Sequence, residues 1–430
     1  MGAGVNDAAP PTHPVQVPDF RIYWVNRLAR TLAQDGMLLV IAWQTYNLAR
    51  DMGMSVAEAS GQLALIGLLQ FAPLFVLSPI TGLAADRYDR RTIAQLTVLA
   101  QLACGAVLGF LTWNGTVSIP ALFAIAVVFG VARGFAGPAL SALAPNLVPK
   151  PLLPTAIALS SISWQAGRII GPAMGGVLYD ITPSLPYAVA TALFGLSFIA
   201  LGFLSQVPQP PVRRDQRPIG QIVDGVRYVV RNKMVLGSIT LDLAAVGLAG
   251  ATALFPVYAR DILQVGASGL SQLAMAPAIG AAVMAAWFSF RPMKTNVGPK
   301  MLGSVAVFGL ATVIFAFSTS MSLSLAMLFI VGASDMFSVY VRQSLVQLHT
   351  PDDKRGRVSS VSLLAISASN EGGDFVSGTL AYFIGPVAAV AAGGLGAIAT
   401  VGLWSWMFPI LRTTKTFDPP PELLEEGGTK

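Results

Sequence analysis

Charge is scarce in this chain of 430 residues: Asp, Glu, Lys and Arg make up 11%, against 54% hydrophobic residues. A soluble helical bundle needs polar helix faces. Most of the apolar runs here show none over roughly 18 residues, the length that spans a hydrocarbon core. Cysteine is nearly absent as well. Cys104 stands alone, so neither a disulfide nor a thiolate metal site is available, and inside an apolar run it reads as a small buried filler. The two histidines, His13 in a proline-rich head and His349 at a helix end, cannot make a histidine metal cluster. No G-x-x-x-x-G-K followed by Ser or Thr occurs, which excludes a P-loop pump. No Ser/His/Asp set emerges either, so an enzyme is not expected, and nothing calls for a cofactor or a metal.

What remains is an all-α polytopic membrane protein. Apolar spans fall near 22–48, 60–82, 92–112, 118–141, 152–179, 185–206, 234–259, 268–290, 300–319, 322–347, 357–383 and 386–411. That predicts twelve transmembrane helices in two six-helix bundles, 21–206 and 234–411. A disordered cytoplasmic head is expected over 1–20, a linker with an amphipathic helix over 207–233 and a cytoplasmic tail over 412–430. In the linker Ile219, Ile222, Val223, Val226 and Val230 follow helical spacing, with Asp224, Arg227 and Arg231 on the other face, as in a helix lying at a membrane interface. Lysine and arginine crowd one set of loops, among them Arg87, Arg90, Arg91, Lys150, Arg213, Arg214, Lys294 and Lys354, while the opposite set has Arg50 and Arg260. The rich side is therefore expected to be cytoplasmic, with both termini there. The net charge of +6 follows from this topology and gives no reason to expect nucleic acid.

The chain is organised around Gly167, Gly171, Pro172, Gly175 and Gly176. Glycines four apart make a smooth helical stripe that a neighbouring backbone can approach, and Pro172 removes a donor from it. The stretch Pro149–Gly176 aligns without gaps on Pro351–Gly378, so Gly167, Gly171, Gly175 and Gly176 fall on Ser369, Gly373, Ser377 and Gly378, and Pro172 on Asp374. Ala49-Arg50-Asp51 closes the first span as Ala259-Arg260-Asp261 closes the seventh. Such duplication is typical of secondary transporters, with the substrate path between the halves.

The stretch Gly82-Leu83-Ala84-Ala85-Asp86-Arg87-Tyr88-Asp89-Arg90-Arg91 resembles the signature loop of the major facilitator superfamily, with Asp89 at the usual glycine. This Asp-Arg-x-Asp-Arg-Arg version is similar to the siderophore-exporter and lysophospholipid-transporter-like branch. Arg133-Gly134 resembles the family's span-four motif, and Gly167 to Gly176 its span-five antiporter motif. The resemblance covers about Phe20 to Leu411. It implies two bundles rocking about a central cavity in a bacterial inner membrane, and a conformational latch at Gly82, Asp86, Arg87, Arg90 and Arg91. In the family the latch arginine meets an acid at the end of span four, and Ala139–Pro149 offers none.

Ionisable groups at depth cost about 2.5–3.5 kcal/mol on insertion scales and normally face partners or a wet cavity. Asp35, Arg133, Asp242, Glu371 and Asp374 are the proton-coupling candidates. Glu371 and Asp374 share a helical face, so ionising both is unfavourable unless an arginine is close. They carry a proton or anchor Arg133 or Arg168 as a static bridge. Arg168, Asp335, Trp43, Tyr46, Trp164, Phe255, Tyr258, Phe337 and Tyr340 are the substrate-cavity candidates. Asp335 also has Arg342 on its own helical face, and the two can satisfy each other.

The leading expectation is proton-coupled export of small amphipathic organic molecules of drug or siderophore type by a monomer in contact with membrane lipids. A lysophospholipid transporter of the same fold, a metabolite uptake carrier, and a receptor built on a transporter fold are the alternatives.

Overall fold

A segment inside lipid must satisfy its own backbone hydrogen bonds, which leaves the helix as the local solution for each apolar run. The computed structural model describes residues 11–143, 147–205, 218–351 and 354–418. Some side chains within its helices, including those of Gly82, Asp86 and Glu371, lie outside the described residues. The first series comprises α1 (Pro18–Asp51), α2 (Val56–Arg87), α3 (Arg90–Trp113), α4 (Ile119–Leu143), α5 (Leu153–Ile181) and α6 (Leu185–Phe203). A helix of the connection, α7 (Pro218–Arg231), leads to α8 (Lys233–Leu248), the short α9 (Phe255–Val257), α10 (Gly266–Phe290), α11 (Val297–Ala316), α12 (Met321–Leu348), α13 (Arg355–Ile384), α14 (Pro386–Met407) and α15 (Pro409–Thr413).

Among the described residues, nine helical segments are long and apolar enough to cross a membrane. Three more helices, α1, α5 and α13, have 34, 29 and 30 residues but are less apolar. They carry Arg27, Arg30, Asp35, Arg168, Glu371 and Asp374, six of the charged residues that the sequence places at depth; Arg133, Asp242, Asp335 and Arg342 lie on spans of the apolar set. The seventh span is not the continuous rod expected over 234–259. After Leu248 it passes through a 3-10 turn, Ala251–Leu254, then α9, and ends in a π turn, Tyr258–Ile262.

The head folds in part, contrary to expectation. His13 caps a turn over Pro14–Gln16, α1 begins at Pro18, and the Asp19 carboxylate accepts the Ser205 N–H at 3.1 Å. Residues 1–10 of that head, 206–217 of the expected linker and 419–430 of the tail lie outside the described residues. The helix expected in the connection is α7. Its Tyr228 hydroxyl donates to the His349 carbonyl at 2.7 Å, and Asp224 lies 3.8 Å from Arg357 of α13.

Within the first series α1 packs on α5 and α6, α2 on α4, and α3 on α4 and α6. Within the second, α8 packs on α13 and α14, α10 on α12, and α11 on α12 and α14. The series meet along α2–α13 and α5–α10. The duplicated stretch accounts for both levels of packing. A Cβ on Gly171 would lie 2.9 Å from the Leu32 carbonyl of α1, and one on its counterpart Gly373 would lie 2.9 Å from the Val246 carbonyl of α8. One turn on, Gly176 abuts Ala267 of α10 across the series boundary, and Gly378 abuts Ala64 of α2 in the same way.

Overpacking such a crossing costs about 1–3 kcal/mol or more. Gly171→Leu is therefore expected to lower folded yield and thermal midpoint in detergent sharply. Gly137→Ala, on α4 with open space around it, is expected to melt like the parent. Equal melting of the two variants would show that the stripe does not set the α1–α5 distance.

Candidate functional site

Asp242 of α8 is a carboxylate deep in an apolar helix and has to find a counter-charge. It finds Arg342 of α12: the two make an ion pair with their side chains 8% and 3% exposed. Helical spacing pairs Arg342 with Asp335 on its own helix, and this is corrected by the structure, because the guanidinium reaches across to α8. Asp335 stays beside the pair, in the electrostatic field of Asp242, Arg342 and, from α5, Arg168. Asp242, Asp335, Ser334 and Ser338, with Val305 and Phe308 of α11, line a small cavity with room for about one water molecule. Two carboxylates around one bonded arginine leave the group one negative charge in excess when both are ionised. A proton on either one relieves it.

The first series is charged the other way. Asp35 of α1 lies in the field of Arg168 of α5, Arg133 of α4 and Arg30 of α1, and Gly171 brings α5 close, since a Cβ there would come 3.1 Å from the Asp35 Cβ. Arg30 donates to Gln34 Oε1 at 3.0 Å, and Gln101 of α3 donates to the same oxygen at 3.3 Å. One turn earlier, Arg27 donates to the Tyr23 hydroxyl at 2.9 Å. Arg168 is exposed and lies over the Trp164 ring at 5.0 Å. Its charge reaches both Asp35 of the first series and Asp335 of the second.

Both arginines that sequence places on the poor face are taken up in one structure. Arg50 of the first Ala-Arg-Asp pairs with Asp261 of the second at 3.1 Å, and Arg260 of the second pairs with Asp51 of the first at 2.6 Å. The Tyr46 hydroxyl also donates to Asp261, and Arg260 donates to the Asn47 side chain at 2.5 Å. Nearby, the Ser268 N–H of α10 donates to Asp180 of α5 at 3.0 Å. The duplicated tripeptides thus meet with charges exchanged, tying the two series together at the arginine-poor end.

Several expected cavity residues belong to packing instead. Trp43, Tyr46, Phe255 and Tyr258 are buried in one apolar cluster at the arginine-poor end. There Tyr258 stacks on Phe315 at 4.5 Å and donates to the Ala316 carbonyl at 2.8 Å. Phe337 and Tyr340 pack on Phe288, Tyr340 stacked at 4.2 Å, and so join α12 to α10. Large aromatics serve here to fill the gaps between helices, a use that spacing does not distinguish from lining a pocket. Asp374 accepts the Thr252 hydroxyl at 2.6 Å and the Ala253 N–H at 3.2 Å, so it caps the broken segment after α8. The first series has Pro172 inside the continuous α5; in the second, its counterpart Asp374 holds the break that follows α8. The Glu371 side chain lies outside the described residues.

The signature stretch is helical through Arg87, where α2 ends, so the expected loop shrinks to a turn at Tyr88 and Asp89. Asp89 replaces the usual glycine for a visible reason. It caps α3, accepting the Thr92 N–H at 2.9 Å and the Thr92 hydroxyl at 2.8 Å. Arg91 donates to the Gly202 carbonyl of α6, Arg87 is exposed, and Arg90 opens α3 with contacts of its own. Gly82 and Asp86 lie outside the described residues. The pairing of Arg342 with Asp242 and the exchange between the two Ala-Arg-Asp tripeptides were missed by sequence reasoning. The tripeptide echo was signal enough for the second, since adjacent opposite charges on two related ends can pair reciprocally.

Comparison with known proteins agrees with this fold. The family model described as Major Facilitator Superfamily matches residues 23–370. Among curated proteins, the chain is 26% identical over 384 residues to the enterobactin exporter EntS of Escherichia coli O6:K15:H31, covering 87% of this chain and 89% of that one. It is 27% identical over 350 residues to EntS of Shigella boydii serotype 18, covering 79% and 82%. Among solved structures, a D-xylose-proton symporter superposes with a TM-score of 0.68 at 14% identity, covering 90% of this chain and 97% of that one. A bacterial homolog of the human lysosomal transporter Spinster, inward-facing and unoccupied, superposes with a TM-score of 0.64 at 16% identity, covering 92% and 96%.

Proposed function

Because the chain belongs to the major facilitator superfamily, we propose that it is a secondary transporter exporting small amphipathic organic molecules of siderophore type in exchange for protons. Residues 21–206 and 234–411 are the two bundles, joined by a linker over 207–233, and the molecule works as a monomer in the bacterial inner membrane with both termini in the cytoplasm. The observation that carries the coupling is the group formed by Asp242, Asp335 and Arg342. A buried carboxylate bonded to Arg342, with a second, half-buried carboxylate beside the pair, forms a site whose charge balance a single proton changes. The similarity to proteins named as enterobactin exporters supports export over uptake. Asp35 with Arg133 and Arg168 is the corresponding site of the first bundle, and Arg168 links the two electrostatically. Alternating access then needs the reciprocal Arg50–Asp261 and Arg260–Asp51 pairs to part when the arginine-poor end opens. The turn at Tyr88 and Asp89, with Arg87, Arg90 and Arg91, works as the latch at the opposite end.

The test is export from cells stripped of their own pumps, loaded in turn with an iron-chelating siderophore, a lysophospholipid and a lipophilic cation. Siderophore export is expected to rise several-fold above vector cells, and to return to vector level with an uncoupler and in Asp335→Asn. Export that ignores the uncoupler removes the proton from the proposal. Vector-level transport of all three compounds by well-expressed protein rejects the cargo class.

A further inference from the structure

The α1 face that turns Tyr23, Arg27, Arg30 and Gln34 in one direction is built from residues three or four apart, one row of a helix. Two guanidiniums one turn apart repel one another, and here they do so inside a membrane span, where each also loses hydration. The surroundings do little to offset this. Arg27 and Arg30 each spend one nitrogen on a neutral partner, a tyrosine hydroxyl and a glutamine oxygen. The Nε of each is buried with no partner among the described residues. The charges that act on Arg30 include Arg27 and Arg133, opposed by Asp35, and the charges that act on Asp35 are Arg168, Arg133 and Arg30. Three guanidiniums, from α1, α4 and α5, thus act on one described carboxylate, and a fourth, Arg27, acts on Arg30.

A cluster of this kind, flanked by the half-exposed Trp164 ring, is complementary to an anion carrying an apolar or aromatic body. Arginine is suited to oxyanions because its fork of donors matches a carboxylate or phosphate. We infer that Arg27, Arg30, Arg133 and Arg168 form the anion-binding wall of the substrate path, so that the cargo is an amphipathic oxyanion and lipophilic cations are excluded. The carboxylates of the second bundle face the cluster across Arg168, and the cargo's charged group goes to the arginine side. The inference deepens the transport reading and rests on it for calling the ligand cargo.

The experiment is a binding assay on purified full-length protein without any gradient, so that a failure of proton coupling leaves its result untouched. Three probes share one ring system and differ in charge: 2-naphthoate, 2-naphthamide and protonated 2-naphthylmethylamine. Charge-assisted hydrogen bonds from two arginines should favour the carboxylate over the amide by about tenfold or more in Kd, with the ammonium weakest. Arg30→Gln and, independently, Arg168→Gln at the exposed edge of the cluster should each lose most of that preference. Arg30→Lys should keep part of it, and Arg291→Gln, just past the C-terminus of α10 and over the Trp287 ring, should keep all of it. Competition by lysophosphatidylglycerol, with lysophosphatidylcholine as control, tells a lipid headgroup from a small acid as the source of the anion, and either result upholds the site. Equal affinity for the three probes, tighter binding of the ammonium, or an unchanged preference in both glutamine variants overturns it.

Discussion

Protein carrying Gly61→Cys and Tyr382→Cys in a Cys104→Ala background is expected to lose nearly all transport on oxidation and to regain it on reduction. A Cβ on Gly61 of α2 would lie 3.9 Å from the Tyr382 Cβ of α13, within the roughly 3.5–4.5 Å that a disulfide bridges. The bond would join the two series at the arginine-poor end, where the alternating-access reading requires them to separate. The reciprocal ion pairs are not expected to hold that end closed alone. Arg50–Asp261 has side chains 27% and 21% exposed, and Arg260–Asp51 has 29% and 64%. Pairs as open as these contribute about 0.2–1 kcal/mol each. Most of the closure lies in the backbone-close α2–α13 and α5–α10 contacts, so Arg50→Ala should shift the balance of states only a few-fold, while the disulfide should stop the cycle. Quantitative cross-linking with undiminished transport would mean that this end does not open during turnover.

How much of this was legible in the sequence follows from what each signal depends on. The helices were, because an apolar run in lipid has one local solution, and, the broken seventh span aside, their ends lie within a few residues of those expected. The glycine stripe was legible too, since its period fixes a face, and the gapless repeat from Pro149 to Gly176 put Gly373 and Gly378 at the positions equivalent to Gly171 and Gly176, where the structure gives them equivalent contacts. The break after Leu248 was not. Its hydrogen bonds come from Asp374 on another helix, a long-range partnership that leaves no local mark. Pairing of buried charges was hidden for the same reason: spacing offered Asp335 to Arg342, and tertiary geometry gave it Asp242. Aromatic residues misled most, because Tyr258 filling a seam and a tyrosine lining a pocket are the same letter at the same period.

The pairing of Arg342 leads to the second large effect. Arg342→Gln leaves the buried Asp242 and the half-buried Asp335 beside it with no bonded cation, and breaking a buried pair by removing one partner costs about 3–5 kcal/mol. The variant is expected to express poorly and melt far below the parent. Asp242→Asn should be milder, since Asp335 remains close enough to feel and offset Arg342. The double variant Asp242→Asn/Arg342→Gln should recover much of the lost stability, giving a coupling energy of about 2 kcal/mol or more in the double-mutant cycle. Stability and coupling should then part company. If the group carries the proton, Asp242→Asn and the double variant fold and still exchange labelled for unlabelled substrate across the membrane, but no longer accumulate it against a gradient. If the pair is a structural tie between α8 and α12, the stable double variant transports uphill like the parent. Measuring melting, exchange and uphill transport on the same three variants separates the two roles, because exchange needs the rocking motion and no net proton transfer, whereas accumulation needs both.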